Sequence, residues 1–496
     1  MQPKLDNIKI SALEIREVGF VKDIRHGIAR VTGLPSCVYG QLIQFSEGTK
    51  GIVMGFNPHE VLVIILGEDG RISIGDTVTS VTELIRVPVG ENLLGRVVNG
   101  MGEPLDGNGP VMATDFFPIF REAPGALERE PITESLSTGI KIIDLVIPIG
   151  KGQRELIIGD RQTGKSSIAI DTIINQKGKD VVCIYCWIGG PQATLRKIIH
   201  TLAENDALKY TTVITSSAST SAAEQYITPY AAAALGEYFM YNGRHVLVVF
   251  DDLTRHAWIY RQISLLLERP PGREAYSGDI FYLHSQLLER AGKLKKERGS
   301  GSMTFLPIVE TLQGDITGYI QTNLISITDG QLYINSNLFR EGFKPAIDLG
   351  LSVSRIGSRI QCAGIKEVSE GLRLEYAQYR EMLRMTKLRT RLSPEALEKM
   401  KRGEILRELL MQPSSQPIST EEEIVLFYAF KRKAFEVLNQ PMIKKFIEGF
   451  FNYLCAENPL LLSSLSKRKE LTEDIKSGLD KTFVSFFKSM EEEAKK

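Results

Sequence analysis

The residues best suited to chemistry stand at 159–166, where GDRQTGKS fits the phosphate-cradling pattern GxxxxGK[ST]. Such a loop works through its backbone. Gly159 and Gly164 let the chain turn its N–H groups toward one point, with Asp160, Arg161, Gln162 and Thr163 spanning the loop between them. A helix starting behind the loop adds partial positive charge. Lys165 would then bridge the outer phosphates, and the Ser166 hydroxyl would ligate Mg²⁺. The context suits the motif, since strand-like ELII precedes it and helix-like SSIAIDTII follows.

A magnesium site of this kind needs a carboxylate at the end of a neighbouring buried strand. HVLVVFDD at 245–252 offers Asp251 after an apolar run, placed to fix a metal-bound water without taking protons. Hydrolysis also needs a carboxylate to orient the attacking water. The strand after the P-loop helix ends Ile188-Gly189-Gly190-Pro191-Gln192, and no acid follows before Glu204. Binding with slow or absent turnover is therefore the expectation. GLSVSRIGS at 350–358 presents Arg355 from a Ser/Gly-rich strand end, where a planar guanidinium could reach a γ-phosphate across a subunit boundary. Spacing alone leaves Arg355 open between such a finger and an ordinary solvated or salt-bridged arginine.

These groups need a scaffold of buried strands. The apolar runs ELIIG, VVCIYCWIG, TTVITSS, HVLVVFDD and LISITDG alternate with helix-like stretches, the pattern of a parallel sheet covered on both faces. They predict a P-loop α/β nucleotide-binding domain over residues 87–361. Ahead of it, glycine-broken β segments (GFVKDI, GIARVTGL, GQLIQF, GIVMGF, VLVIIL) predict a small N-terminal β-barrel over 1–86. The Gly/Pro-rich passage VPVGENLLGRVVNGMGEPLDGNGP marks the change of unit. Beyond Gln361, amphipathic stretches such as EGLRLEYAQYREMLRMTKLRTRL and EEEIVLFYAFKRKAFEVL predict an α-helical domain over 362–496.

A chain of 496 residues exceeds what one core organises, which agrees with this multidomain reading. Lys plus Arg and Asp plus Glu both total 60, so no net field draws nucleic acid or an anionic membrane. Nothing approaches the ~18 apolar residues of a membrane span, and membrane association would have to run through partners. Five scattered cysteines suit a reducing compartment. Cys183 and Cys186 form a CxxC inside a strand-like run, where their spacing sends them to opposite faces as core thiols rather than a metal or redox pair.

With these residues in view, the chain resembles the F-type ATP synthase alpha-subunit family over nearly its full length. The resemblance rests on PIGKGQRELIIGDRQTGKSS, FDDL, YRQISLLLERPPGREAYSGDIFYLHSQLLERAGKL, ISITDGQLY and GLSVSRIGS. It implies a RecA-like core in a hexagonal ring of alternating alpha and beta subunits around a gamma shaft, with delta and b subunits as stator. Catalysis, in ATP synthesis or hydrolysis coupled to H⁺ or Na⁺ transport, would belong to beta. By the same resemblance, Gln162, Gly164, Lys165, Ser166 and Ser167 hold the phosphates of a bound ATP or ADP. Asp251 and Glu310 support its Mg²⁺, Pro345 and Gln412 border the adenine, and Arg355 enters the beta site. The complex would sit peripherally on the cytoplasmic face of the plasma membrane, or the equivalent face of an organelle membrane.

Several positions depart from the family pattern. Gly190 stands where glutamine is usual, Lys344 replaces an arginine, and Ser414 replaces a second glutamine at the adenine pocket. The leading segment MQPKLDNIKISAL is short for docking a delta-type stator subunit, and Lys387, Arg389 and Arg391 replace an acidic stretch facing the shaft. These features keep an alpha-like subunit of a specialised F-like ATPase as an alternative. A homohexameric export ATPase would have to hydrolyse ATP itself, and the missing acid near Gly190 argues against it. A ring-shaped nucleic-acid translocase would need a basic, aromatic groove that the mixed charges of 14–86 do not offer.

Overall fold

Glycine-punctuated alternation at the start of the chain closes into a barrel. The computed structural model describes residues 17–494, apart from 68, 388–392 and 437. Its first strands are β1 (Val18–Arg25), β2 (Ile28–Thr32), β3 (Gln41–Phe45), β4 (Lys50–Asn57), β5 (Glu60–Leu66) and β6 (Thr77–Leu84). They pair in the closed order β1-β2-β5-β4-β3-β6. Inward-facing Val21, Val31, Ile43, Phe45, Val53, Val63 and Val78 fill the interior. The apolar runs do not announce β6, because Thr, Ser and Glu dilute TVTSVTEL. It nonetheless closes the barrel by pairing with both β1 and β3.

Three short strands, β7 (Arg86–Val89), β8 (Val97–Val98) and β9 (Asp115–Pro118), and helix α1 (Lys141–Val146) lead into the α/β core. Its strands are β10 (Leu156–Asp160), β11 (Val181–Gly190), β12 (Thr211–Ser217), β13 (His245–Asp251), β14 (Gly292–Lys293), β15 (Ser302–Thr311), β16 (Gly330–Ile334) and β17 (Val353–Ser354). The sheet order is β17-β16-β10-β15-β13-β11-β12-β8, with β14 pairing off β15, and its central pairs are parallel. The covering helices are α2 (Lys165–Ile174), α3 (Gln192–Glu204), α4 (Ala222–Tyr241), α5 (Leu253–Leu266), α6 (Ile280–Leu288), α7 (Tyr319–Ile327) and α8 (Ser336–Arg340). Cys183 joins the hydrophobic cluster on one face of the sheet and Cys186 that on the other, as their strand spacing requires.

One strand expectation needs correction, and one strand was not anticipated. LISITDG is the end of α7 plus a turn: Ile320 and Leu324 are buried at helical spacing, and only Gly330 begins a strand. Conversely, SMTFLPIVET forms β15, central in the sheet and buried almost throughout despite Pro307 within it.

Helices close the chain: α9 (Ala363–Ser369), α10 (Leu372–Lys387), α11 (Pro394–Leu410), α12 (Thr420–Lys431), α13 (Gln440–Glu457), α14 (Pro459–Arg468) and α15 (Glu473–Ala494). Phe446 and Phe450 stack with centroids 4.6 Å apart, and Phe483 packs against both. One hydrophobic cluster runs from Ile157 and Ile168 beneath the P-loop to these rings, so the helical layer is packed onto the site-bearing sheet. The segment MQPKLDNIKISAL and the residues Arg389 and Arg391 lie outside the described residues, as does the side chain of Lys387. No helix among the described residues is long and apolar enough to cross a membrane.

Candidate functional site

The strand-to-helix turn from β10 to α2 makes the centre of the site. Gly159 belongs to β10, and a Cβ there would lie 2.6 Å from the Ile334 carbonyl oxygen, so its glycine serves packing against β16 rather than the turn. The turn itself uses positive φ at Gln162 (60°) and Gly164 (96°), after which α2 begins at Lys165. Lys165 Nζ donates to the Asp160 carbonyl at 2.6 Å, and Thr163 Oγ1 donates to the same oxygen at 2.7 Å. The lysine is 6% exposed. Burial lowers its pKa, against the pull of Glu310, Asp252, Asp251 and Asp160. A buried ammonium bonded to one carbonyl can still donate to an incoming anion.

Asp160 does not reach the ligand side. Its carboxylate accepts from Thr311 Oγ1 (2.6 Å), Gly314 N (2.8 Å) and Ser336 Oγ, which braces the loop against β15 and α8. The cavity in front of the loop, about 580 Å³, is lined by Arg161 through Ser167, and Gly159 and Asp160 stand behind that lining.

Acids and arginines form the opposite wall. Asp251 is 5% exposed, accepts from Tyr185 OH at 2.5 Å and is hydrogen-bonded to Ser166, while burial raises its pKa. Asp252 caps α5 by accepting from Arg255 N at 2.8 Å. Burial first, then the charges of Asp251 and Glu310, pushes Asp252 up to about 7. Glu310 pairs with Arg161 at 2.7 Å, and the Arg161 guanidinium lies 5.8 Å from the Trp258 ring centre. A hydroxyl beside a carboxylate suits a hard cation such as Mg²⁺. Among the described residues there is no cluster of three or more His, Cys, Asp or Glu side chains that could hold a metal unaided. Ser166 and Asp251 therefore fit an ion that takes its remaining oxygens from water and phosphate.

At the far end, Ile140, Asp171, Pro345, Gln412 and Ser414 line the same cavity. Gln412 has its amide committed: Oε1 accepts from Lys141 N (3.1 Å), and Nε2 donates to the carbonyls of Gly139 (2.7 Å) and Gln416 (2.8 Å). It is a latch between the helical layer and the start of α1, and it offers the cavity little hydrogen-bonding capacity. Asp171 accepts from Ser415 N at 2.8 Å. It stands six residues beyond Lys165 on α2, about 9 Å along the axis. Lys344 lies over Phe339, 4.9 Å from the ring centre.

Arg355 is elsewhere. It follows edge strand β17, is exposed, and does not line the cavity. Its backbone N–H donates to the Asp329 carbonyl at 2.9 Å, and Nη2 reaches the Ile325 carbonyl at 3.4 Å. Asp329 is in turn gripped bidentately by Arg154, at 3.0 and 2.8 Å. Sequence reasoning passed over Trp187, Asp171 and Arg255. Trp187 reads as core inside an apolar strand, Asp171 as a helix residue, and Arg255 as one turn past a helix cap.

Strand, phosphate loop, helix and strand-end aspartate together define a P-loop nucleotide-binding protein. Residues 139–354 match the ATP synthase alpha/beta family, nucleotide-binding domain; residues 14–81 match that family's beta-barrel domain, and 361–486 its C-terminal domain. ATP synthase subunit alpha of Clostridium botulinum (strain Hall) is 48% identical over 474 residues, 96% of this chain and 94% of the relative. That of Caldanaerobacter subterraneus subsp. tengcongensis is 47% identical over 483 residues, 97% of this chain and 95% of the relative. The chain belongs to the ATP synthase alpha/beta family, among its alpha subunits.

Proposed function

We propose that the chain is the non-catalytic alpha subunit of a rotary F-type ATP synthase, holding Mg-ATP or Mg-ADP in its own cavity and lending Arg355 to a neighbouring beta subunit. The observation that carries this reading is a separation. The phosphate loop lines a cavity of about 580 Å³, whereas Arg355 is exposed at the sheet edge outside it. In the cavity, Arg161 to Ser167 hold the phosphates, with Lys165 as the buried cation and Pro345 and Gln412 bordering the base. Ser166 and Asp251 hold Mg²⁺, which when bound neutralises phosphate charge.

Slow turnover follows from the state of the acids. Asp252 is spent as a helix cap, Asp251 is hydrogen-bonded to Tyr185 and Ser166, and Glu310 is tied to Arg161. A carboxylate bound to a guanidinium is a poor proton acceptor, and the tip of β11 adds no other acid. In the assembly, three such chains would alternate with three beta subunits around gamma, held by delta and b, with catalysis coupled to H⁺ or Na⁺ transport. Attachment to the cytoplasmic face of the plasma membrane, or the equivalent organelle face, runs through these partners.

Reconstituted rings carrying Arg355→Ala or Arg355→Lys test the reading. Multisite ATP turnover should fall at least a hundredfold in both, since arginine fingers contribute on the order of 10³ to 10⁵ in rate and lysine cannot reproduce the planar fork. Nucleotide retained in this chain's own cavity should be unchanged. Near-normal turnover in Arg355→Ala would refute the role in trans.

A further inference from the structure

Gly190 closes β11, and the space its side chain would occupy is already taken. A Cβ there would meet Trp187 Cζ2 at 2.1 Å, Trp187 Cε2 at 2.4 Å and Arg255 Nη1 at 2.5 Å. No other residue fits without moving both side chains. The Arg255 guanidinium lies 5.8 Å from the Trp187 ring centre, and both residues line the cavity that holds Lys165. Trp187 is 4% exposed, and its indole N–H is buried with no partner. Arg255 has carboxylates near it, Asp252 at 3.4 Å and Glu310 at 4.0 Å, but both distances exceed the ~2.7–2.9 Å of a charge-assisted hydrogen bond. The guanidinium is thus positioned by the indole face and by charge at a distance, with N–H groups still able to donate. The guanidinium N–H groups are pure donors, the complement of a phosphate, and the Trp187 ring sets where they stand.

We propose that Trp187 and Arg255 form a second phosphate-binding element opposite Lys165, one that reads the terminal phosphate of a nucleoside triphosphate and makes this cavity prefer the triphosphate to the diphosphate. The proposal rests on the nucleotide-binding reading given above and assigns its terminal-phosphate contacts. The same ring fills the tip of β11, the position from which a carboxylate would have to present a water. Packing therefore excludes an activating side chain at 190.

The chain has two tryptophans, which gives the test a direct readout. In the full chain carrying Trp258→Phe, Trp187 emission and calorimetry report Mg-ATP and Mg-ADP binding. The parent should bind ATP at least tenfold tighter than ADP, with a larger emission change for ATP. Arg255→Gln should weaken ATP at least tenfold and ADP less than threefold, bringing the ratio near one. Gly190→Gln, which must displace both side chains, should do the same. Should Arg255→Gln fail to fold, Trp187→Leu, followed by calorimetry, gives the same comparison by removing the indole face. A parent ratio near one, or an unchanged ratio in the variants, overturns the pair's role while leaving nucleotide binding intact. A parent that binds neither nucleotide overturns the nucleotide-binding reading itself, and the proposal with it.

Discussion

Replacing Asp171 with asparagine should stabilise the chain at neutral pH and progressively less in acid. Asp171 is 8% exposed, and the one hydrogen bond described for its carboxylate comes from Ser415 N. Burial pushes its pKa from 3.8 up to about 6, the backbone bond only partly opposing the rise. A carboxyl that is harder to ionise in the folded chain than in the unfolded one binds more protons when folded between those two values. Stability contributed by the protonated acid is therefore present below about 4 and lost as pH rises through about 6. At about 1.4 kcal/mol for each tenfold change in proton affinity, ionised Asp171 costs at most about 3 kcal/mol at pH 7.5, and about a third of that remains at pH 4.5. Asparagine keeps an oxygen for Ser415 N and carries no charge.

The assay is the thermal midpoint of the nucleotide-free chain, parent against Asp171→Asn, from pH 7.5 to 4.5. Domains of this size move by roughly 2–4 °C per kcal/mol, so a rise of several degrees at pH 7.5 should shrink by more than half at pH 4.5. Comparing two variants at each pH cancels the other titrating groups, whose effects are common to both. A lower midpoint for asparagine at pH 7.5, or a difference independent of pH, would mean that the carboxylate is stabilised by a partner other than Ser415 N.

Lys165→Ala should weaken nucleotide binding by about 1.5–3 kcal/mol, tenfold to a hundredfold or more in Kd, without lowering the melting point of the empty chain, because its ammonium is buried beside a carbonyl. Equilibrium dialysis and a melt on the same sample check both halves. Arg290 and Glu237 form a bidentate pair at 2.7 and 2.9 Å, each side chain 1% exposed, linking the end of α6 to α4. Glu237→Gln should cost about 3–5 kcal/mol by removing the buried guanidinium's counter-charge, and Glu237→Leu with Arg290→Met should recover only part of it, because the Ile119 carbonyl and Arg121 lose their partners, as urea midpoints will show.

What the sequence disclosed and what it hid follow one physical rule. The P-loop was legible because its chemistry demands contiguous residues, and Asp251 because a buried parallel strand advertises its own end with an apolar run. The opposed faces of Cys183 and Cys186 needed only the two-residue period of a strand. Features that depend on distant contacts were not legible. β15 hides behind Pro307, and β6 is a strand because β1 and β3 lie on either side of it. Gln412 meets Lys141 and Gly139 across some 270 residues, and only that meeting makes its amide a latch. Asp160 sits inside the motif yet braces it from behind, since Thr311 and Ser336 claim its carboxylate. Gly190 is the sharpest case. As a letter in the sequence it reads as an absence, the place where a functional side chain is missing. In the fold it is a requirement, because Trp187 and Arg255 already occupy that volume. An empty position in a motif and a filled position in space are thus one fact, and only packing distinguishes a lost function from a substituted one.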